Sequence, residues 1–327
     1  MPLVRRLLES LLTTSVWPQD MKIESTASLV ASVRLGHGRD REPAIERLLT
    51  RGDEAIGALI AATKEPPDVH VWEALARFGP RAADQLIAAR GGSIGLTGYG
   101  EARVLALSPE SWPTLRMALE SDDPASRCAA AEGLGLLGDQ RAVSALRAAL
   151  EDPEVRGDAA VALARLRDEA SRPMVLGMID DPDPDIATAA VYASSLYGHG
   201  SLERLILALY DARLEVRIAS IAALGKSPDD RATAALVQRL AHLELPRDDM
   251  ETDEIILALH ERADPGSESA LTEILRSAHA SERSHPLARC HGDLAAAALE
   301  AIGTSAAMSA AEALRHHDGM DDGEATP

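Results

Sequence analysis

Between Asp122 and Ala241 apolar residues recur in short stripes at helical spacing. Ala130, Leu134 and Leu137 form one stripe, and Val143, Leu146, Ala149 and Leu150 form the next. Gly138-Asp139 separates them, a helix-stopping glycine followed by an acidic helix start. The pattern predicts a helical hairpin of about 30 residues. Asp-Pro at 123–124, 152–153 and 181–182 is expected to open the first helix of three hairpins, with Asp as N-cap and Pro at the first helical position.

The hairpin is repeated. Arg127, Arg156, Ile186 and Arg217 occupy one equivalent position, and Leu146, Val175, Leu205 and Leu236 another. Both series are spaced by 29, 30 and 31 residues, so the 19-residue interval inside each unit never changes. A rigid interior with joints of variable length is the mark of stacked supersecondary units. Fainter copies are read at 40–64, 68–90 and 98–120 upstream and at 250–279 and 286–316 downstream, about nine hairpins in all. Residues 1–39 are expected to supply N-terminal capping helices, residues 40–316 the repeat array, and residues 317–327 a disordered acidic tail.

The phrase "DDPASRCAAAEGLGLLGDQRAVSAL" resembles the short HEAT-like repeats of phycobilisome-lyase-type proteins, most clearly over 122–241. That resemblance implies an all-α, right-handed solenoid of stacked antiparallel helix pairs. It implies little about activity, because a fold of this kind carries scaffolds, lyases and a few enzymes.

Composition narrows the picture. Aromatic residues make up 2% of the 327-residue chain, with Phe78 the single phenylalanine, so the core must be built from Ala, Leu, Val and Ile. The formal charge of −19 argues against a nucleic-acid partner, which needs a basic footprint. Cys128 and Cys290 give no disulfide framework, no stretch is long enough for an apolar membrane span, and the scarcity of lysine fits a GC-rich bacterial genome. A cytoplasmic protein is expected on these grounds. "LVRRLLESLL" (3–12) is an amphipathic stripe that suits a cap over the first hairpin or a membrane-surface helix, and its two basic residues favour the cap.

No stretch assembles convincing catalytic chemistry. "GGSIGLTGYG" (91–100) lacks the strand and the Lys-Ser/Thr of a phosphate loop and is read as a joint. His279, His285, Cys290 and His291 are metal-ligand types, with His316 and His317 further along, but their spacing matches no zinc pattern. HEAT-like hydroxylases carry several His-Glu dyads that hold a di-iron centre; here only His260-Glu261 fits, too few for such a centre. "RDDMETDE" (247–254) is read as a solvated linker. No metal and no cofactor are expected.

The expected function is therefore a non-enzymatic scaffold that binds a protein or peptide on its concave face. The alternative is a lyase or chaperone-like protein acting on a protein-bound cofactor such as a tetrapyrrole. Taking second helices as the inner curve, residues two before, two after and five after each buried marker form the groove floor. In the third unit these are Glu203, Leu207 and Tyr210, where the floor turns apolar. Leu176, Ile206 and Val237, one residue past their markers, are candidate walls. Asp123, Asp152, Asp181, Asp183, Asp185 and Asp211 fall at equivalent joints and form a candidate acidic rim for a basic partner.

Overall fold

The computed structural model describes residues 25–36, 38–64, 68–198, 200–243, 249–281 and 288–318. Among them all regular structure is helical. Residues 1–24 (including the 3–12 stripe), His37, His199, His285 and residues 319–327 lie outside the described residues. The chain divides into two compact units, Met1–Gly92 and Ser93–Pro327, and the division falls inside the glycine-rich stretch 91–100.

In the first unit, Thr26–Leu35 precedes two helix pairs. Gly38–Arg51 pairs with Asp53–Ala62 and Val69–Ala76 with Pro80–Arg90. Gly52 turns between the first two helices at φ 59°, a conformation that favours glycine. Leu29, Leu48, Ile56, Leu59 and Leu75 are fully buried and form the core of this unit.

The second unit holds seven pairs among its described residues, from Tyr99–Leu105 with Trp112–Ala118 to Ala288–Ile302 with Ser305–Asp318. The markers Leu146, Val175, Leu205 and Leu236 all lie in the core. Their burial follows from the repeat: each sits at the centre of a stripe wide enough for one turn of apolar contact. Successive units share one continuous core from Ile179 to Ala311, made almost wholly of Ala, Leu, Ile and Val.

The short second helices from Trp112–Ala118 to Leu202–Ala208 pack mainly against the first helix that follows, while first helices also pack directly on one another. Small residues permit that approach. A Cβ on Gly135 would lie 2.7 Å from Ala162 Cα, and one on Gly225 would lie 3.0 Å from Ala258 Cβ. First helices of neighbouring repeats meet at these small residues.

The joints differ from expectation in two places. Asp123 caps its helix as expected, accepting from the Ala125 and Ser126 amides at 3.2 Å. In the next unit the helix starts at Arg156, and Asp152 closes a turn ahead of it by accepting from Glu154 N at 3.0 Å. In the third, Asp183-Pro184 and not Asp181-Pro182 opens Pro184–Tyr197. Two consecutive Asp-Pro pairs compete there, and the second wins because Asp181 is turned to other donors, the Asp183 amide at 2.9 Å and Arg156 at 3.0 Å.

The arginine of the repeat stitches these joints together. Arg127 donates to Ser121 O and Asp122 O at 3.0 and 3.1 Å and reaches Asp152 of the next unit at 2.9 Å. Arg217 does the same for Asp211 O and Ala212 O, at 2.9 and 3.1 Å, and reaches Glu251. Where Ile186 replaces the arginine, Arg213 supplies the donors instead, to Ile179 O at 3.2 Å and to Asp181 O. Helix-end carbonyls that would otherwise lack a partner are satisfied in all three cases.

The stretch 247–254 is not a solvated linker where it is described. It runs into the helix Asp249–Arg262, with Glu251 and Thr252 buried. Its carboxylates suit a helix start, and Glu251 faces two arginines rather than water.

Candidate interaction surface

The floor positions of the second helices all face solvent in the four central units, including Ser144, Ala148 and Glu151 in the first. Leu207 is 63% exposed and Tyr210 47% exposed, large apolar side chains on a row otherwise small or polar. Leu176, Ile206 and Val237 are partly buried and pack on the shared core.

Tyr210 is held in place. The Arg239 guanidinium lies 5.3 Å over its ring, and the His242 ring meets it edge-on at 6.4 Å. Arg239 is in turn fixed by Glu251 at 2.6 Å, and His242 Nδ1 lies 2.7 Å from Gln238 O. A tyrosine fixed before binding loses little rotamer freedom when a partner covers it.

The rim carboxylates are largely engaged within the chain. Asp152 pairs with Arg127, Asp181 with Arg156 and Asp211 with Arg213. Hydrogen bonds from the Arg213 side chain pull the Asp211 carboxyl down to about 2. Asp123 and Asp183 cap helices, and Asp183 accepts from the Asp185 amide at 2.9 Å. Asp185 is exposed.

On the row of first helices lies a feature that the sequence reading missed. Tyr99, Glu132, Asp158 and Tyr192, from four successive first helices, line one cleft. Tyr99 Oη donates to Asp158 at 3.2 Å. Burial raises the Asp158 carboxyl above its ordinary range, with the nearby Glu132 adding to the rise. Burial and the Asp158 charge also raise the Tyr99 hydroxyl and push the Cys128 thiol up to about 11, so Cys128 is a protonated, unreactive thiol at neutral pH. The signal in the sequence is a tyrosine or an acid on each of four successive first helices, with Tyr99 and Tyr192 exposed and Glu132 and Asp158 half-buried.

Among the described residues, no group of three or more His, Cys, Asp and Glu side chains is placed to hold a metal ion. Cys290 is exposed, whereas His291 is buried with Nε2 3.3 Å from Asp253. The side chains of His279, His316 and His317 lie outside the described residues. His260 and Glu261 are both exposed. No helix among the described residues is long and apolar enough to cross a membrane.

Residues 112–195 match the family model of HEAT repeats. No curated protein matches the chain. Among solved structures, human deoxyhypusine hydroxylase in complex with glycerol is 18% identical, covering 92% of this chain and 99% of its own, with a TM-score of 0.33. The crystal structure of an engineered protein is also 18% identical, covering 97% and 93% with a TM-score of 0.41. The segment 112–195 is thus similar in sequence to HEAT repeats, and the helix pairs around it continue the same all-α architecture.

Proposed function

We propose that this protein is a non-enzymatic scaffold that binds a protein or peptide partner through the exposed row of second helices. Leu207 and Tyr210 form the anchor, and Leu176, Ile206 and Val237 form its walls. One observation carries the reading: Tyr210 is exposed yet held between Arg239 and His242, beside a Leu207 that no core contact requires. An aromatic anchor of this kind contributes about 2 kcal/mol or more to binding. The acidic joints contribute encounter rather than affinity, through residues that no arginine neutralises, Asp123, Asp183 and Asp185.

The test is partner capture from native lysate by the intact chain and by the Leu207→Ser/Tyr210→Ser variant. The variant keeps the helical circular-dichroism signal and thermal midpoint and loses the captured species. Equal capture by both proteins removes the patch from the interface. Loss of the fold shows that the two residues are structural.

A further inference from the structure

The cleft on the first helices has a volume of about 480 Å³. It lies between Tyr99–Leu105, Pro124–Leu137, Arg156–Arg165 and Pro184–Tyr197. Tyr99 and Tyr192, 43% and 46% exposed, both line it. Glu132 Oε1 accepts from Arg103 Nη2 at 3.0 Å, but Oε2, shielded from solvent, has no hydrogen-bond partner. Arg165 Nη1 and Thr188 Oγ1, also lining the cleft, are likewise shielded and without a partner. Shielded polar atoms left unpaired are costly, and all three belong to side chains that line the cleft, so a small side-chain rotation brings each within reach of a complementary group bound there.

The complement can be read from the charges. Glu132, Asp158 and Asp185 outnumber Arg103 and Arg165 around the cleft, so a cation is favoured. Tyrosine faces attract ammonium and guanidinium groups, adding selectivity for an organic cation over a bare ion. Arg165 Nη1 and the Thr188 hydroxyl ask for an acceptor near that cation. A peptide bearing a basic residue offers both, a cationic head and carbonyl oxygens, whereas a free polyamine offers no acceptor. A cleft of this size is within the range of sites that take small organic groups.

We propose that this cleft is a subsite for one Lys or Arg side chain of an extended peptide. The cation sits against Glu132 and Asp158 between the two tyrosines, and a peptide carbonyl meets Arg165 and Thr188. The subsite does not depend on the Leu207–Tyr210 patch, and either can fail without the other.

Titration of the full chain by calorimetry or ligand-observed NMR tests it. The probes are a capped Gly-Ser peptide with one central arginine, the same peptide with glutamate in its place, and spermidine. The arginine peptide binds and the glutamate peptide does not. Glu132→Gln and Tyr192→Ala each weaken binding about tenfold, the loss of one charge-assisted or cation–π contact, with the thermal midpoint showing that both variants fold. Three results overturn the proposal: no binding of the arginine peptide at ~10 mM, weaker than any useful contact; spermidine binding as tightly as the peptide, which assigns the cleft to free amines; or folded variants that bind like the parent chain.

Discussion

Arg239 donates to Glu251 at 2.6 Å, and this contact connects the core of the second unit to the exposed ring of Tyr210. The same carboxylate accepts from Arg217 at 2.9 Å, so one buried acid orders two arginines with different tasks. Arg217 closes the carbonyls of its joint, and Arg239 lies over the tyrosine. Burial alone would raise the Glu251 carboxyl, but the hydrogen bonds from Arg239 and Arg217 outweigh it and leave the group lowered.

Removing the acid therefore has two effects. Glu251→Ala leaves two shielded guanidinium groups uncompensated and is expected to cost about 3 kcal/mol, as for other broken buried pairs. Because the carboxyl is lowered in the folded chain, its contribution is present above the unfolded-state value near 4.5 and is lost as pH falls through the lower folded value. Chemical denaturation at pH 7 should show the full difference between the two proteins, and the gap should close in acid. An equal gap at every pH would mean that the loss is packing and not charge.

The packing of first helices gives a prediction in which the same substitution has opposite signs. In a helix interior, Gly→Ala ordinarily stabilises by about 1 kcal/mol through backbone entropy. Gly57→Ala should follow that rule, since a Cβ there meets nothing within 4 Å. Gly135→Ala should destabilise by about 1–3 kcal/mol, because its Cβ would meet the Ala162 backbone, which cannot move aside cheaply. Thermal midpoints of the two single variants decide it; a stabilised Gly135→Ala would show that the helices can separate.

These elements also show what the sequence discloses and what it does not. Leu146, Val175, Leu205 and Leu236 were legible because a buried stripe repeats at the helical period and one chain contains four copies. The hairpins beyond 122–241 were legible from their glycine and proline turns. Glu251 was not: a cluster of acids reads as solvated, and its two partners lie 34 and 12 residues away. The cleft was not legible either. Tyr99, Glu132, Asp158 and Tyr192 are spread over 94 positions, and only the stacking of four first helices brings them together.

Asp158 gives a third prediction, from the raised carboxyl. The groups facing it are Tyr99, which donates to it, Cys128, Glu132 and Arg165. Burial disfavours its charged form, so the folded chain holds the proton to higher pH than the unfolded chain does. Deprotonation thus weakens the fold as pH rises through the folded value, and the fold gains stability when pH falls through it. Asp158→Asn removes the charge while keeping an acceptor for the tyrosine. It should raise the thermal midpoint at pH 7 and leave it unchanged below about pH 3, where both states of the parent are protonated. A lower midpoint at pH 7 would mean that the carboxylate is held by attractive contacts stronger than its burial.

Arg213 gives the last prediction, because it stands in for a residue that the repeat omits. Ile186 occupies the place of the repeat arginine, and Arg213 donates instead to the carbonyls of Ile179 and Asp181 while pairing with Asp211. Arg213→Ala leaves helix-end carbonyls without a donor and releases Asp211, at an expected cost of about 1–2 kcal/mol. The Asp211 carboxyl, held at about 2 mainly by the Arg213 side chain, should return toward its ordinary value of 3.8. Its folded value lies below the unfolded one, so the ionic part of the loss is present above about pH 4 and disappears as pH falls toward 2. The carbonyl part does not titrate and should remain. Urea midpoints for the parent and the variant at pH 7 and pH 2.5, with an NMR titration of Asp211, separate the two. A variant that keeps Asp211 near 2 would show that the joint, and not the arginine, sets its charge.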